Sequence, residues 1–492
     1  MADDAQPPAT LHSSLHQDAR AIFAHALDAC RIERVFHERI RFEGTTLVIE
    51  HSPDIQPMRA IRIDLGGHRR FLIIALGKAA VPMTQSMTQS LLDIMPRTAR
   101  LRGVCSAPAR PAHRNWRIRY YAGGHPLPNR DSFRAAQRAL RLLRRASEKT
   151  FVIFLISGGG STLFDLPLDP AISLADTIVF HQALIASGAT IAEVNTLRKH
   201  FSAVKGGRLA TAAPRAAKLT LQVVDVPWHH AGTVASGPTL ADPSTVDDCR
   251  ELLARYNLLE KFRSSVRRFF SQPDLPETPG DKAAMKRDAE RLEAAQKAGP
   301  GPYSWASFSN GPAVTNWLAT LLSNLDLLRA AQEKAVALGY EVVTDNHCDD
   351  WPYDKAAAYL VDRLIELRRQ HPGRKLCLLS GGEVTVRMDR KPGTGGRNQQ
   401  FALACGLLLH QRLPGDSVVC LSAGSDGVDG NSTAAGALAG PSTVSRAAAR
   451  GLDPEAALAA FDAGPLFTAL GDEVITGPTG NNLRDLRILL SE

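Results

Sequence analysis

Apolar residues gather in short unbroken runs: FLIIAL at 71–76, FVIFLI at 151–156 and LTLQVVDV at 219–226. Each run is the length of a strand, ends in a turn-rich stretch and is followed by helix-like sequence. Continuous apolar runs predict strands buried on both faces, so the rhythm predicts parallel sheets covered by helices, an α/β fold. Before the first run, apolar positions recur at helical spacing from Leu11 to Cys30 and predict an opening helix. After residue 312 the rhythm returns, with a helix over 324–339 and strands at LCLLS (376–380) and VVCLS (418–422). Between the two patterned regions, residues 272–312 hold PETPGDK, a charged stretch and AGPGPYSWASFSNGP, the texture of a linker or lid. Three segments follow: an N-terminal Rossmann- or flavodoxin-like domain over 11–271, a linker over 272–312, and a second α/β domain over 313–492. No short tandem repeat is present.

Length agrees, since 492 residues exceed what one core usually serves. Hydrophobic residues make up 44% and charged residues 22%, ordinary values for a globular protein. No apolar run reaches the roughly 18 residues of a membrane span. The opening MADDAQPPAT lacks the apolar core of a signal peptide, so a cytoplasmic protein is expected. Seven widely spaced cysteines include no CxxC pair, which predicts small buried residues rather than disulfides or a zinc site. The net charge of +8 concentrates in Arg97–Arg119 and Arg138–Lys149. No nucleic-acid motif accompanies it, so solvated faces or small anionic ligands are the expectation.

The candidate chemistry lies where strands end. Ser157-Gly158-Gly159-Gly160-Ser161 directly follows FVIFLI, and its glycines let backbone N–H groups approach an anion before a helix begins. A ligand-free tight turn explains three glycines equally well. Gly77-Lys78 follows FLIIAL and places a lysine where it can meet a phosphate or carboxylate, or simply stand in solvent at the start of a helix. Asn195 and Lys199 share one helix face, with Lys205 just beyond; an anion-gripping helix and an exposed amphipathic helix are both open. In the later domain Ser380-Gly381-Gly382-Glu383 follows a strand. A mobile glycine loop, 393–396, then presents Arg397 and Asn398. Asp426 and Asp429 in GSDGVDG suit either a hydrated Mg²⁺ or plain turns. Neither a Walker A loop nor GxGxxG occurs: position 163 is leucine and position 398 asparagine where a third glycine would stand.

Together LGKAA (76–80), GGHPLPN (123–129), SGGGSTL (157–163), GATIAEVNTLRKHFSAVKGGRLA (188–210), ASGPT (235–239), SGGEVTV (380–386), GTGGRNQQFAL (393–403), GSDGVDG (424–430) and TGPTGNNLRDL (476–486) resemble the glycerate 2-kinase family, whose members are also labelled hydroxypyruvate reductase. The resemblance implies two α/β domains with the active site in the cleft between them. It implies ATP with Mg²⁺, and transfer of the γ-phosphoryl group to the 2-hydroxyl of D-glycerate or a related small hydroxy acid. Lys78, Asp225 and Arg397 match its active-site residues. Lys78 and Arg397 are expected to stabilise charge, and Asp225 to orient the hydroxyl or hold Mg²⁺, with Asp426 as a second candidate metal ligand. The implied partners are the hydroxy acid and ATP, with neither nucleic acid nor membrane; a homodimer is compatible with this picture. The chain departs from the family at Trp228-His229-His230, Gln400, Thr433 and Asp350-Trp351-Pro352-Tyr353, and three of these changes remove a carboxylate. A reductase and a catalytically weak ligand-binding relative therefore stay open.

Overall fold

A computed structural model of the chain describes residues 14–50, 60–95, 98–226, 233–280, 282, 316–388 and 391–492. The chain divides into two units. One comprises Ile32–Ser323 with Gly480–Asn482; the other comprises Asn324–Thr479 and Leu483–Glu492 together with the opening segment through Arg31.

The N-terminal unit begins with a small antiparallel sheet of β1 (Ile40–Glu43), β2 (Thr46–Ile49) and β3 (Ile61–Asp64). Its main sheet contains β4 (Arg70–Leu76), β5 (Arg100–Ala107), β6 (Ile118–Ala122), β7 (Thr150–Ile156), β8 (Ala217–Val223) and β9 (Asn316–Leu322). All five pairings are parallel, in the order β6-β5-β4-β7-β8-β9. Counted within the sheet this order is 3-2-1-4-5-6, that of doubly wound nucleotide-binding sheets. Its direction reverses between β4 and β7, which opens a crevice beyond their carboxyl ends. Every residue of β7 is buried, as its unbroken apolar run predicts. Leu72, Ile74 and Leu76 of β4 pack against the small face, Ala135, Ala136 and Ala139, of helix Arg130–Leu143. That helix starts at Asn129, whose side chain accepts from Ser132 N in a reciprocal capping box. A separate helical cluster (Leu174–Ile185, Ile191–Phe201, Val246–Arg255, Ser264–Phe270) packs around Phe180, Phe201, Phe262, Phe269 and Phe270.

The C-terminal unit has six strands: β10 (Glu341–Thr344), β11 (Leu376–Gly382), β12 (Val418–Gly424), β13 (Gly436–Ala439), β14 (Glu473–Val474) and β15 (Asp485–Ser491). Their order is β10-β11-β15-β12-β13-β14, and only β10 with β11 is parallel. The α/β class holds, but here the sheet is mixed because β15 returns antiparallel between β11 and β12. Helix Arg397–Arg412 lies between two apolar clusters, with Phe401 and Cys405 in one and Ala402 and Leu403 in the other.

The boundaries differ from those expected. The apolar run NWLATLL, assigned to the later domain, is β9 and extends the N-terminal sheet beside β8. The opening helix, Ser14–Ala29, belongs instead to the C-terminal unit. It packs on helix Asn324–Ala337, and Tyr340 Oη donates to Asp18 at 2.8 Å. Of the expected linker, 281 and 283–312 lie outside the described residues. All seven cysteines are free and buried. Among the described residues no helix is long and apolar enough to cross a membrane.

Candidate active site

The crevice at the β4/β7 reversal is where the two glycine loops of the N-terminal unit meet. Gly77 takes φ +118°, open to glycine alone, and lies so close to Ser157 that any side chain would overlap it. The loops are then stitched together: Lys78 N donates to Gly158 O at 2.8 Å, and Ala79 N donates to Ser157 Oγ at 3.0 Å. Ser157 thus braces the crevice from behind. Asp225, two residues past β8, brings its carboxylate against Gly158, where a Cβ would overlap it outright. A Cβ on Gly159 would stand 3.4 Å from Lys78 Cγ and 3.1 Å from His125 Cδ2. Carboxyl-end loops of four strands therefore bring Lys78, His125, Gly158, Gly159 and Asp225 together.

His125 was not among the expected site residues. The signal available for it was the glycine-flanked GGHPLPN stretch just after β6. Ser236 was also missed, although its φ of +62° is unusual for a residue with a side chain. Ser236 is buried, donates to Asn195 Oδ1 at 2.9 Å and meets Ser161 Oγ at 2.8 Å. Asn195 therefore acts on the glycine loop at one remove, through Ser236 and Ser161. Gly160 opens a helix of only four residues, Gly160–Leu163, so the expected dipole of a following helix is short.

The two lysines of the anion-gripping expectation are not in this group. Lys199 Nζ lies 3.0 Å from the buried Asp242, and Lys205 pairs with Asp165, which also meets His181 Nε2 at 2.6 Å. Burial would raise the Asp165 pKa, but Lys205 and His181 outweigh it and hold the carboxyl below its ordinary range. Both lysines are paired with interior carboxylates, away from the group of Lys78, His125 and Asp225.

In the C-terminal unit the first residue of β15 lies in register with Gly382 and Gly424, the last residues of β11 and β12. That residue is Asp485. Arg397 straddles it, with Nε at 2.6 Å from Oδ2 and Nη2 at 2.9 Å from Oδ1, and Nη2 also lies 2.9 Å from Glu383 Oε1. Burial alone would lower the Arg397 pKa; Asp485 and Glu383 outweigh it and raise it. Nη1 is left without a protein partner among the described residues, so the guanidinium is aimed yet has donors to offer.

Asn398 is turned inward, accepting from Ser422 Oγ at 2.7 Å, rather than toward a ligand as expected. The glycine loop before Arg397 is tied at three points. Thr394 N donates to Asp462 at 2.6 Å, Gly395 N to Asn431 at 2.8 Å, and Asn431 Nδ2 to Gly393 O at 2.9 Å. The glycines serve close approach, since a Cβ on Gly393 or Gly396 would overlap Asp462 or Asp429. Asp429 accepts from the N–H groups of Asn398 and Gln399, and burial pushes its carboxyl up to about 6. Asp426 closes its own turn, accepting weakly from Val428 N at 3.3 Å. Gln400 Nε2 donates to Leu458 O at 2.6 Å, a bond that a glutamate could not make. The Trp228-His229-His230 run lies outside the described residues.

Among the described residues no group of three or more His, Cys, Asp or Glu is placed to hold a metal ion. Mg²⁺ in phosphoryl transfer is commonly held by one or two carboxylates together with substrate phosphates. The single carboxylate of Asp225 beside the glycine loop fits a Mg²⁺ that arrives on a nucleotide.

Residues 18–271 match a family described as a domain of unknown function (DUF4147), and 376–485 match the MOFRL family. A Pyrococcus horikoshii protein named glycerate 2-kinase is 31% identical, over 85% of this chain and 86% of its own. A protein of Agrobacterium vitis, provisionally named a hydroxypyruvate reductase, is 33% identical over 86% of this chain and 87% of its own. The crystal structure of a glycerate kinase from Thermotoga maritima superposes with a TM-score of 0.74 at 28% identity, covering 97% of this chain and all of that one.

Proposed function

This chain belongs to the glycerate 2-kinase family, and from that premise we propose that it transfers the γ-phosphoryl group of ATP to the 2-hydroxyl of D-glycerate or a closely related small hydroxy acid, releasing ADP. The observation that carries the reading is the meeting of Lys78, the Gly158–Gly159 backbone and Asp225 at the reversal point of the N-terminal sheet.

Phosphoryl transfer asks the protein mainly for positioning and for cations around a charge-rich transition state. Lys78 supplies a positive charge on the rim of the crevice, beside the backbone of Gly159. The Asp225 carboxylate accepts from the acceptor hydroxyl and sets its oxygen in line; it is also the residue that would hold Mg²⁺. The metal, when bound, shields phosphate charge. Asn195, Ser236 and Ser161 keep the glycine loop in shape. We assign Arg397 to anion recognition, its fork fixed by Asp485 and Glu383.

The reductase name borne by some relatives is the competing reading. The 3-2-1-4-5-6 order suits a dinucleotide, whereas Gly77-Lys78-Ala79-Ala80 replaces the glycine fingerprint such cofactors use. One experiment separates the two: ADP release over a panel of three- and four-carbon hydroxy acids, beside a nicotinamide absorbance assay with hydroxypyruvate. ADP release dependent on D-glycerate, with a 2-phosphate product by phosphorus NMR, is the expected result. Nicotinamide oxidation without ADP release would sink the kinase reading.

A further inference from the structure

The densest charge in the chain lies away from these loops. At the edge of the N-terminal sheet β5 and β6 pack under helix Arg130–Leu143, and beside them runs a groove of about 1060 Å³. Nine arginines line it, against one acidic residue, Asp131. On the strands, exposed Arg100 and Arg102 alternate with buried positions of β5, and exposed Arg119 lies between buried Ile118 and Tyr120 of β6. On the helix, Arg134, Arg138 and Arg141 recur at i, i+4 and i+7, which is one face. Two rows of guanidinium groups thus border the same groove.

Asp131 answers only part of this charge, pairing with Arg110 and Arg134. Arg102, Arg119 and Arg138 have no carboxylate partner among the described residues. Clustered like charges raise the free energy of the folded chain unless an anion joins them. Guanidinium groups match phosphate oxygens two at a time. Trp116 is exposed beside the groove, with Arg117 stacked 4.4 Å from its ring centre.

We propose that this groove is a second ligand site, one that binds a small polyphosphate anion, either free or carried by a nucleoside. The volume is that of a small-molecule site and far exceeds one orthophosphate. A nucleic-acid strand needs a basic track with successive stacking rings, and Trp116 is the single exposed large aromatic among the lining residues. The site is also distinct from the crevice. Lys78, His125, Gly158, Gly159 and Asp225 are not among the groove's lining residues. Arg100 opens β5 about 20 Å along the strand from Ser106, which accepts from Gly77 N, and the groove runs from there to Tyr121, in register with Ser106. The proposal does not depend on which reaction the crevice performs.

Calorimetric titration of the full chain with inorganic tripolyphosphate, at an ionic strength of about 0.15 M, tests it. One binding event is expected that persists in Lys78→Ala. It should weaken by about tenfold or more in Arg119→Ala/Arg138→Ala, since each removed guanidinium takes charge-assisted bonds with it. Without tripolyphosphate, the double variant should melt and turn over like the wild type. If it melts lower, Arg138→Gln alone is compared instead, because that residue is exposed on the helix surface. ATP titrated into Lys78→Ala distinguishes the sources. Equal affinity for ATP and tripolyphosphate assigns the phosphate chain alone, and tighter ATP adds a contact to the base; both support the site. No binding to the wild type, undiminished binding to the arginine variants, or tighter binding of a single-stranded oligonucleotide than of tripolyphosphate overturns it.

Discussion

Gly158→Ala probes the crevice with one methyl group. Gly158 does not need a left-handed backbone, so alanine brings no intrinsic strain there. What it meets is Asp225: the new Cβ overlaps the carboxylate outright, with even the farther oxygen, Oδ1, only 3.0 Å away. Ordinary contact begins near 3.5 Å, so the carboxylate must retreat by more than about 1 Å. Asp225 is half-buried rather than enclosed and can swing aside, so the cost to folding should stay within about 1 kcal/mol. A displacement of that size at a reacting group is worth about 10²-fold in rate. Coupled ADP-release kinetics should show a fall in kcat of that order, with the melting temperature nearly unchanged. Gly67→Ala is the control, because nothing lies within 4 Å of a Cβ at that position. The decisive measurement is the double-mutant cycle. If Gly158→Ala acts through Asp225, adding it to Asp225→Ala should cost nothing further. Additive losses, or wild-type turnover in Gly158→Ala, would refute the role given to Asp225.

Other expectations follow from the same geometry. Lys78→Ala should lower turnover by about 10²-fold or more while circular dichroism and melting stay unchanged; normal turnover would make Lys78 a surface residue. Lys205→Met strands the buried Asp165 and should lower stability by about 3–5 kcal/mol in urea unfolding. If Lys205 contacted substrate instead, KM would rise with stability intact. Asp429 has its pKa raised from 3.8 to about 6, so its stabilising contribution is full below pH 3.8 and is lost as pH rises through about 6. The loss is on the order of 2–3 kcal/mol at neutral pH, and Asp429→Asn should flatten that part of the stability profile.

Much of the N-terminal sheet was legible because β4, β7 and β8 are buried on both faces and so carry unbroken apolar runs. β5 escaped notice because its first half, Arg100-Leu101-Arg102-Gly103, lines a charged groove and reads as polar sequence. β9 was not singled out as a strand; its residues fell inside the later domain because nothing local says that the run joins the first sheet across a long connection. The opening helix likewise advertised an apolar face but not its partner, helix Asn324–Ala337, some 300 residues away in sequence.

The site divides along a similar line. Lys78, Ser157–Ser161 and Asp225 were legible because they follow strands directly, and in a parallel sheet such positions share one edge. The ion pairs of Lys199 and Lys205 were not legible, for a physical reason. A lysine on or just past a polar helix looks available, and only the fold reveals buried Asp242 beside Lys199 and buried Asp165 beside Lys205. The carboxylates that neutralise them stand 43 and 40 positions away in sequence, so no local pattern joins acid to base. Arg397 shows the converse. It was identified by its place after a glycine loop, while Asp485, which fixes its orientation from 88 positions away, left no local sign. Local sequence therefore exposes residues placed by strand ends, whereas the carboxylates that decide whether a cation is structural or available come from distant strands and loops. That is why the assignment of Arg397 rests on what Asp485 and Glu383 leave of its fork, the Nη1 donors, and that of Lys78 on its place beside Gly159 at the end of β4.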